Sequence, residues 1–453
     1  MNTEINLHST DTIVAIATAN GVGSISIVRV SGSKALDIAT SLSLKDSFKP
    51  RLATLSKIYD TNQELLDEVL VIYFKNPHSF TGEDIVEFQC HGGIAISNLI
   101  LENCIKLGAR LANPGEFSKR AFLNGKIDLT QALAISKLIE AKSEDAVKLL
   151  AKQLKGDLKN FVDDIREDLL FILAYTEVNI DYAEEDLPED IYQSITQKLT
   201  SIEVKLQNTL EASKRRDGLI DGFKIAIVGK PNVGKSSLLN KLLNFNRAIV
   251  SDIAGTTRDT IEESIKIGTH IIKIVDTAGI READNEIEKI GIERSKEAID
   301  ESDIIIALFD SSKPFDSEDK QILELLENSD KEKIIAITKT DLEKKLDISD
   351  INYDNILELN IKKDINILLN KIENILDHNN STDDITLISK QQIFEVEETL
   401  QNIKLSTMPL ESMELEFFAY HIKEALEHIS NITRPYEHTQ MLDVMFGEFC
   451  LGK

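Results

Sequence analysis

A glycine-rich segment in the middle of the chain has the residue types and spacing that bind phosphate. Residues 229–236 read G-K-P-N-V-G-K-S, after an apolar run at 223–228 and before an amphipathic stretch at 237–243. In such a strand-to-helix turn, backbone N–H groups and the positive end of the helix dipole face phosphate oxygens. Lys235 is expected to reach the outer phosphates and Ser236 to ligate Mg²⁺. The segment predicts a P-loop that binds a nucleoside triphosphate.

Two further motifs follow in the order that a GTPase requires. Residues 276–279 read D-T-A-G after an apolar run at 271–275, where the aspartate would hold the water shell of Mg²⁺ and the glycine N–H would contact the γ-phosphate. Between this motif and the P-loop, residues 255–259 read G-T-T-R-D and contain Thr257, which could complete the magnesium coordination. Asp276 or Thr257 alone would be an ordinary turn residue. The ordered set favours a GTPase over a kinase.

The segment expected to recognise the base departs from the usual Asn-Lys-x-Asp. Residues 338–341 read T-K-T-D, and residues 360–362 read N-I-K where Ser-Ala-Lys is usual. Asp341 can still accept hydrogen bonds from guanine and Lys339 can lie over the base, but Thr338 offers only a hydroxyl. We therefore expect guanine selectivity, which Thr338 either weakens or leaves unchanged.

Composition limits the class of protein. The chain has 453 residues, of which 42% are hydrophobic and 28% are charged, which suits two or three soluble domains. The formal net charge of −26 disfavours unaided nucleic-acid binding, because that affinity comes mainly from Lys and Arg. Cys90, Cys104 and Cys450 show no metal-type spacing and indicate a reduced protein without disulfides. No apolar stretch approaches the roughly 18 residues of a membrane span, so we expect a cytoplasmic protein.

The elements that must position these motifs form three predicted parts. Residues 1–125 mix strand-like runs with glycine turns and one helical stretch, which predicts a small α+β domain. Apolar residues recur every three or four positions from 150 to 172, and a similar helical pattern returns near 415–429. Between them, strands alternate with helices over about 219–375, which predicts an inserted α/β domain. The predicted strand runs are 13–17, 24–30, 68–74 and 85–89, and the predicted helical stretch is 94–107.

Segments on both flanks of the inserted domain match one known family. They are residues 11–18 (D-T-I-V-A-I-A-T), 28–32 (V-R-V-S-G), 80–84 (F-T-G-E-D), 91–93 (H-G-G), 114–124 (P-G-E-F-S-K-R-A-F-L-N) and 449–453 (F-C-L-G-K). With the P-loop motifs, they make the chain resemble the tRNA modification GTPases of the MnmE (TrmE) family over nearly its whole length. His91 on its own would be a turn and packing residue rather than a catalytic base.

The resemblance implies a multidomain α+β and α/β fold. Its parts are an N-terminal α+β folate-binding and dimerisation domain (1–125), a discontinuous all-helical domain (126–218 and 378–453) and an inserted Ras-like P-loop G domain (219–377). It also implies a potassium-dependent GTPase that forms a homodimer and, with the flavoprotein MnmG, a heterotetramer. Together the two proteins add an aminomethyl or carboxymethylaminomethyl group to C5 of the wobble uridine (U34) of certain tRNAs. The implied cofactors are K⁺, Mg²⁺ and 5-formyl- or methylene-tetrahydrofolate, with GTP as substrate and no membrane partner.

The resemblance further assigns site residues, several of which would otherwise pass for solvated surface charges. Glu288 would orient the attacking water, and K⁺ would take the charge-compensating role that an arginine finger has elsewhere. The implied potassium ligands are Asn232, Ser251, Ile253 and Thr256, and the implied magnesium ligands are Ser236 and Thr257. The implied folate contacts are Arg29, Glu87, Lys126 and Lys453. The implied GTP-binding residues are Asn232, Val233, Gly234, Lys235, Ser236, Ser237, Ser251, Asp252, Ile253, Ala254, Gly255, Thr256, Thr257, Asp276, Thr277, Ala278, Gly279, Thr338, Lys339, Thr340 and Asp341.

Some alternatives stay open at the level of sequence. The family's usual Pro-Pro-Gly is replaced by A-N-G at 19–21, which predicts a more mobile turn. Cys450 could be a nucleophile or acid near the transferred carbon, a residue that positions the tail, or a buried apolar residue. One alternative function is a nucleotide-gated binding scaffold with degraded guanine specificity. Another is a ribosome-assembly GTPase that shares only the G domain, which the net charge and the segment 450–453 disfavour.

Overall fold

The computed structural model describes residues 11–19, 21–141, 143–181, 189–245, 264–275, 296–347, 351, 353, 356–363, 365–378, 385–434, 446–447, 449 and 452. The chain divides into two compact units. The first comprises residues 1–136, 153–167 and 426–453, and the second comprises residues 137–152 and 168–425. Among the described residues, each unit has one six-stranded sheet.

The sheet of the first unit has the strand order β3-β4-β5-β2-β1-β6. Its neighbouring strands are antiparallel except for β1 and β6, which are parallel. The strands are β1 (Thr12–Ile16), β2 (Ile25–Ser31), β3 (Thr54–Tyr59), β4 (Leu65–Phe74), β5 (Ile85–His91) and β6 (Ala109–Leu111).

The two faces of this sheet carry different residues because side chains alternate along each strand. One face presents Val28, Val30 and Phe88 to a core covered by helices α1 (Ala35–Ser43) and α2 (Ile94–Lys106). The opposite face carries Arg29 and Glu87, which are directly paired in the register of β2 and β5. Helix α3 (Glu116–Leu123) places Phe117 in a small cluster with Ile13 and Ala15 of β1. The alternation therefore puts a charged pair on the less covered face.

The remaining helices begin and end at the following residues: α4 (Leu129–Glu140), α5 (Glu144–Leu154), α6 (Asp157–Asp181), α7 (Glu189–Asp221), α8 (Lys235–Phe245), α9 (Ser317–Glu327), α10 (Asn366–His378), α11 (Lys390–Glu411) and α12 (Leu415–Asn431). Long helices thus precede and follow the second sheet in the sequence, as the helical periodicity predicts. Within the described ranges, no helix is both long and apolar enough to cross a membrane.

The sheet of the second unit has the strand order β12-β11-β10-β7-β9-β8. All neighbours are parallel except the β8–β9 pair. Every residue of the central strand β10 is buried, as expected for a parallel sheet covered on both faces. The strands are β7 (Phe223–Gly229), β8 (Ser264–Ile267), β9 (His270–Ile274), β10 (Ile304–Asp310), β11 (Glu332–Thr338) and β12 (Leu357–Glu358).

Candidate nucleotide and folate sites

The P-loop leaves β7, which lies between β10 and β9, and enters α8. Three of its residues have positive φ: Gly229 at 153°, Asn232 at 62° and Gly234 at 119°. A Cβ atom on Gly229 would lie 2.8 Å from the carbonyl oxygen of Leu308, so the position requires glycine. Helix α8 begins directly after the loop, and the N–H groups of its first turn can bind an anion. The loop therefore has a backbone geometry that suits the phosphate cradle predicted from the sequence.

The side chain of Lys235 folds back over the preceding residues of the P-loop. Its Nζ donates to the carbonyl oxygens of Gly229 at 2.5 Å and Lys230 at 2.9 Å. Burial lowers the pKa of this ammonium group. A triphosphate would supply the negative charge that favours its protonated form. The position suits the role predicted for Lys235 at the outer phosphates.

Thr338 ties the predicted base-recognition segment to the P-loop. It ends β11 and is fully buried, and its Oγ1 lies 2.6 Å from the carbonyl oxygen of Val233 and 3.1 Å from that of Phe309. A single hydroxyl therefore suffices to link the two loops, although the usual asparagine is absent. Ile361, from the second base-loop segment, also approaches the P-loop, since a Cβ on Gly234 would lie 3.1 Å from its Cδ1.

Lys339 is held by an aspartate that sequence reasoning missed. Its Nζ lies 2.6 Å from Oδ2 of Asp310, and its backbone has a φ of 56°. Asp310 also accepts hydrogen bonds from the N–H and hydroxyl of Ser312. Burial would raise the pKa of Asp310, but the bonds from Lys339 and Ser312 outweigh it and leave the pKa lowered. The carboxylate is thus ionised where it fixes Lys339 near the base site.

A second missed residue, Lys230, lies inside the P-loop motif. Its side chain is 8% exposed, and Nζ lies 2.7 Å from Oδ2 of Asp316 and 2.6 Å from Oδ2 of Asp319. Asp316 caps α9, and Asp319 completes its capping box. Burial would lower the pKa of Lys230, but the two carboxylates outweigh it and leave the pKa raised. The contact anchors the first half of the P-loop to the beginning of α9.

Ser236, Ser237, Thr340 and Asp341 lie in the described part of the nucleotide site. Ser236, Ser237 and Asp341 are exposed, and Thr340 is partly exposed. Other predicted residues lie outside the described residues. These are Ser251, Asp252, Ile253, Ala254, Gly255, Thr256, Thr257, Asp276, Thr277, Ala278, Gly279, Glu288, Cys450 and Lys453.

The structure brings together the Arg29 and Glu87 expected at the folate site. Nε and Nη2 of Arg29 both lie 2.8 Å from Oε1 of Glu87. The guanidinium carbon of Arg29 lies 5.7 Å from the ring centre of Phe117 and 6.0 Å from that of Phe80. An ion pair flanked by aromatic rings fits a flat heterocycle that carries N–H donors.

Lys126 and Gly452 each approach another segment of the first unit. Lys126 lies against the 81–83 turn, since a Cβ on Gly82 would be 3.0 Å from its Cε. Near the end of the chain, a Cβ on Gly452 would be 2.4 Å from the carbonyl oxygen of Ile16 in β1. The neighbouring residue of β1, Ala15, pairs with Arg29. The C-terminal segment thus reaches the strand next to the Arg29–Glu87 pair.

The segment 114–124 contains Arg120, the centre of a largely buried ion-pair network. Arg120 is 7% exposed and contacts Asp11 at 2.8 Å, Glu116 at 3.0 Å and Glu83 at 3.1 Å. Burial would lower the pKa of Arg120, but Glu83 and Glu116 outweigh it and leave the pKa raised.

His91, whose ring is largely exposed, has its Nδ1 2.7 Å from Oδ1 of Asp67. The backbone N–H of His91 also donates to Oδ2 of Asp67, in β4, at 3.0 Å, so this carboxylate holds the end of β5.

Comparison with known proteins agrees with this arrangement. The family described as "GTP-binding protein TrmE N-terminus" matches residues 12–126, and "MnmE helical domain" matches residues 129–450. The "tRNA modification GTPase MnmE" of Aliarcobacter butzleri is 69% identical over 448 residues, covering 99% of this chain and 100% of that protein. Its counterpart in Sulfurimonas denitrificans is 59% identical over 447 residues, covering 98% and 100%.

A more distant relative, from Wolinella succinogenes, carries the same name. It is 49% identical over 451 residues and covers 99% of both chains. The multidomain α+β and α/β fold class predicted from the sequence is confirmed, with one mixed and one largely parallel sheet and matches to both flanking family domains. Full-length similarity at these identities confirms the resemblance: the chain belongs to the MnmE family of tRNA modification GTPases.

Proposed function

We propose that the chain is a potassium-dependent GTPase that acts with a flavoprotein partner, MnmG, on the wobble uridine U34 of certain tRNAs. The product would carry an aminomethyl or carboxymethylaminomethyl group at C5, with the carbon taken from 5-formyl- or methylene-tetrahydrofolate. Family membership supports the tRNA-modifying GTPase activity. The observation that carries the nucleotide part is the P-loop whose Val233 carbonyl is linked to Thr338 of the base-recognition segment.

Within the G domain, the described residues fit a bound nucleotide. Lys235 and the first turn of α8 would hold the phosphates, Lys339 and Asp341 would hold the base, and Ser236 would join Thr257 on Mg²⁺. The potassium ligands would be Asn232, Ser251, Ile253 and Thr256. Bound there, K⁺ would supply positive charge beside the phosphates as the γ-phosphoryl group is transferred.

The left-handed backbone of Asn232 supports its place in this site. Its φ of 62° puts it at the tight bend of the loop, and the residue is exposed. Asparagine tolerates this conformation better than most residues and offers an amide oxygen, which is a suitable ligand for a hard cation. Glu288 would orient the attacking water.

The folate would lie against the face of the first sheet that carries the Arg29–Glu87 pair. Glu87 would accept hydrogen bonds from the pterin, and Lys126 and Lys453 would face the carboxylates of the glutamate tail. The approach of Gly452 to β1 supports the inclusion of Lys453, which is the next residue. Cys450, in the same tail, stays open as a reactive or a positioning group.

The larger assembly is part of the same proposal. We assign 1–125 to folate binding and homodimer formation, 126–218 with 378–453 to the helical domain, and 219–377 to the G domain. The protein would work in the cytoplasm as a homodimer bound to MnmG in a heterotetramer. A net charge of −26 supports the need for this partner, since the partner would supply much of the grip on tRNA.

Reconstitution tests this function. The purified chain is combined with the flavoprotein, tRNA transcripts, GTP, methylene-tetrahydrofolate and an amine donor, either ammonium or glycine, which supplies the nitrogen of the added group. Digested nucleosides are then analysed by mass. We expect the added mass on U34 only when GTP and folate are both present. Glu288→Ala should bind GTP normally and hydrolyse it slowly, with loss of the modified nucleoside. Modification that proceeds without GTP, or a Glu288→Ala chain that cannot bind GTP, would contradict the roles assigned here.

A further inference from the structure

A shallow open cleft in the first unit carries positive charge, although the chain as a whole is strongly acidic. It has a volume of about 590 Å³ and is walled by Ile72, Phe74 and Phe80, with Arg51 and Lys126 at its border. A second cavity of about 420 Å³ shares Arg51 and adds Lys75. All residues that line the two cavities are described, and none of them is acidic. The pair of cavities therefore forms a track for an anion.

The track begins where the proposed folate site ends. Phe80 lines the larger cavity, and its ring centre lies 6.0 Å from the guanidinium carbon of Arg29. Lys126 borders the same cavity and is one of the residues assigned to the folate. A ligand held by Arg29 and Glu87 that extends past Phe80 would therefore meet Lys126 and Arg51 in the larger cavity and Lys75 in the second.

The backbone on both sides of the track is held in place. Arg51 donates its N–H to the carbonyl oxygen of Tyr73 at 2.7 Å, and its Nη2 lies 3.1 Å from the carbonyl oxygen of His78. Across the strand end, Oδ1 of Asp84 accepts from the Tyr73 hydroxyl at 2.8 Å and from the Asn76 N–H at 2.9 Å. The carboxylate of Asp84 is thus engaged with the segment that presents Lys75, and Asp84 does not line either cavity.

We propose that this track binds the oligo-γ-glutamyl tail of a polyglutamylated tetrahydrofolate, so that the chain prefers folates with several glutamates. The proposal rests on the proposed folate site and deepens it. Each added γ-glutamyl unit brings one more carboxylate, and the cations along the track are spaced over two adjoining cavities. The apolar wall of Ile72, Phe74 and Phe80 suits the methylene groups and the aminobenzoyl ring that precede those carboxylates.

Binding measurements with two tail lengths test the proposal. Titration of the full chain with monoglutamyl and triglutamyl 5-formyl-tetrahydrofolate gives two dissociation constants for each variant. We expect the wild type to bind the triglutamyl form about five- to tenfold more tightly, because exposed ion pairs each contribute modestly. The preference should shrink as salt is raised.

A double substitution tests whether the cations of the track cause the preference for the longer tail. Arg51→Gln with Lys75→Gln should remove the preference for the longer tail and leave the affinity for the monoglutamyl form within about twofold. Retained monoglutamyl binding also shows that the variant is folded. Lys106→Gln is the matched control, because this exposed lysine lies on α2, which covers the opposite face of the sheet. It should leave both dissociation constants unchanged.

The outcomes separate this inference from the function on which it rests. Equal affinity of the wild type for the two forms, with the monoglutamyl form bound, overturns the tail site and leaves the folate site standing. Failure of both forms to bind overturns the folate site and the tail site together. If the double substitution weakens tRNA binding and leaves the tail preference intact, the track belongs to a nucleic-acid backbone and the proposal is wrong.

Discussion

Single residues explain how this G domain keeps its architecture with an altered base-recognition motif. Thr338 replaces the usual asparagine, yet its hydroxyl still reaches the carbonyl oxygen of Val233 in the P-loop. Lys339 is oriented by Asp310, which no motif names. Asp310 ends an apolar run at the carboxyl edge of a parallel strand, where ligands usually bind, so a signal for it existed in the sequence. Lys230 carried no such signal, because its carboxylate partners lie more than eighty residues away.

Thr338→Val removes the hydroxyl and nearly preserves the side-chain volume. We expect a loss of about 1–3 kcal/mol in the free energy of unfolding, because a buried hydrogen bond to Val233 or Phe309 disappears. GTP should also bind less tightly, since the two loops are no longer linked. Urea unfolding and GTP titration measure both effects, with Thr200→Val, at an exposed position of α7, as control. Unchanged stability and affinity would show that the link is unimportant.

Competition of ATP against GTP measures the selectivity of the same site. We expect GTP to be preferred strongly, because Asp341 is retained and Lys339 is held by Asp310. Thr338→Asn should leave this preference within a few fold. If ATP displaces GTP at equal concentration, the site lacks guanine selectivity. That result would support the alternative function, a nucleotide-gated scaffold with degraded guanine specificity.

Lys230→Met leaves two carboxylates at the beginning of α9 without their cation. We expect the free energy of unfolding to fall by about 3 kcal/mol, as when one partner of a buried pair is removed. The KM for GTP should rise more than kcat falls, because the phosphate cradle is loosened and no transition-state contact is lost. Lys230→Arg should restore both quantities. The control is Lys320→Met on the exposed side of α9, which should change neither quantity; an equal effect there would argue against the anchor.

Strands and helices show which parts of the fold can be predicted from sequence. The four predicted strand runs of residues 1–125 and the helix near 94–107 occur within a few residues of their predicted bounds. The prediction missed β3, in which Ser56 is buried and Leu55 is exposed, so that its apolar residues do not mark the buried face. It also missed β6, which has only three residues. Such short edge strands depend on partners distant in sequence, so local pattern does not reveal them. The cationic track was missed for a related reason, because Arg51 and Lys126, which line one cavity, are far apart in the sequence.

The carboxylate of Asp310, the last residue of β10, should make stability fall at acidic pH. The pKa of Asp310 is lowered in the folded protein below its ordinary value of 3.8. Its contribution is therefore fully present above about pH 4 and is lost as pH falls through the lowered value. Urea unfolding of the wild type and of Asp310→Asn between pH 6 and pH 3 tests this. The advantage of the wild type over the variant should begin to shrink at the acidic end; a constant difference would contradict the assignment.

In the whole molecule, the proposed folate site lies in one compact unit and the proposed nucleotide site lies in the other. Both compact units carry their proposed site on a six-stranded sheet, and long helices lie between and after these sheets in the sequence. The proposed functional assembly also requires a partner, since a chain of net charge −26 is poorly suited to hold tRNA alone. In the proposed function, GTP hydrolysis couples the two sites and the partner, and it depends on a monovalent cation near Asn232.

The most direct measurement is the rate of GTP hydrolysis in potassium buffer against sodium buffer, for the wild type and Asn232→Gly. Glycine accepts the φ of 62° at this position, so the variant removes the amide and keeps the loop. We expect the wild type to turn over GTP at least about tenfold faster in potassium than in sodium. The variant should lose most of this advantage while still binding GTP. Equal wild-type rates in the two buffers would contradict the potassium-dependent mechanism.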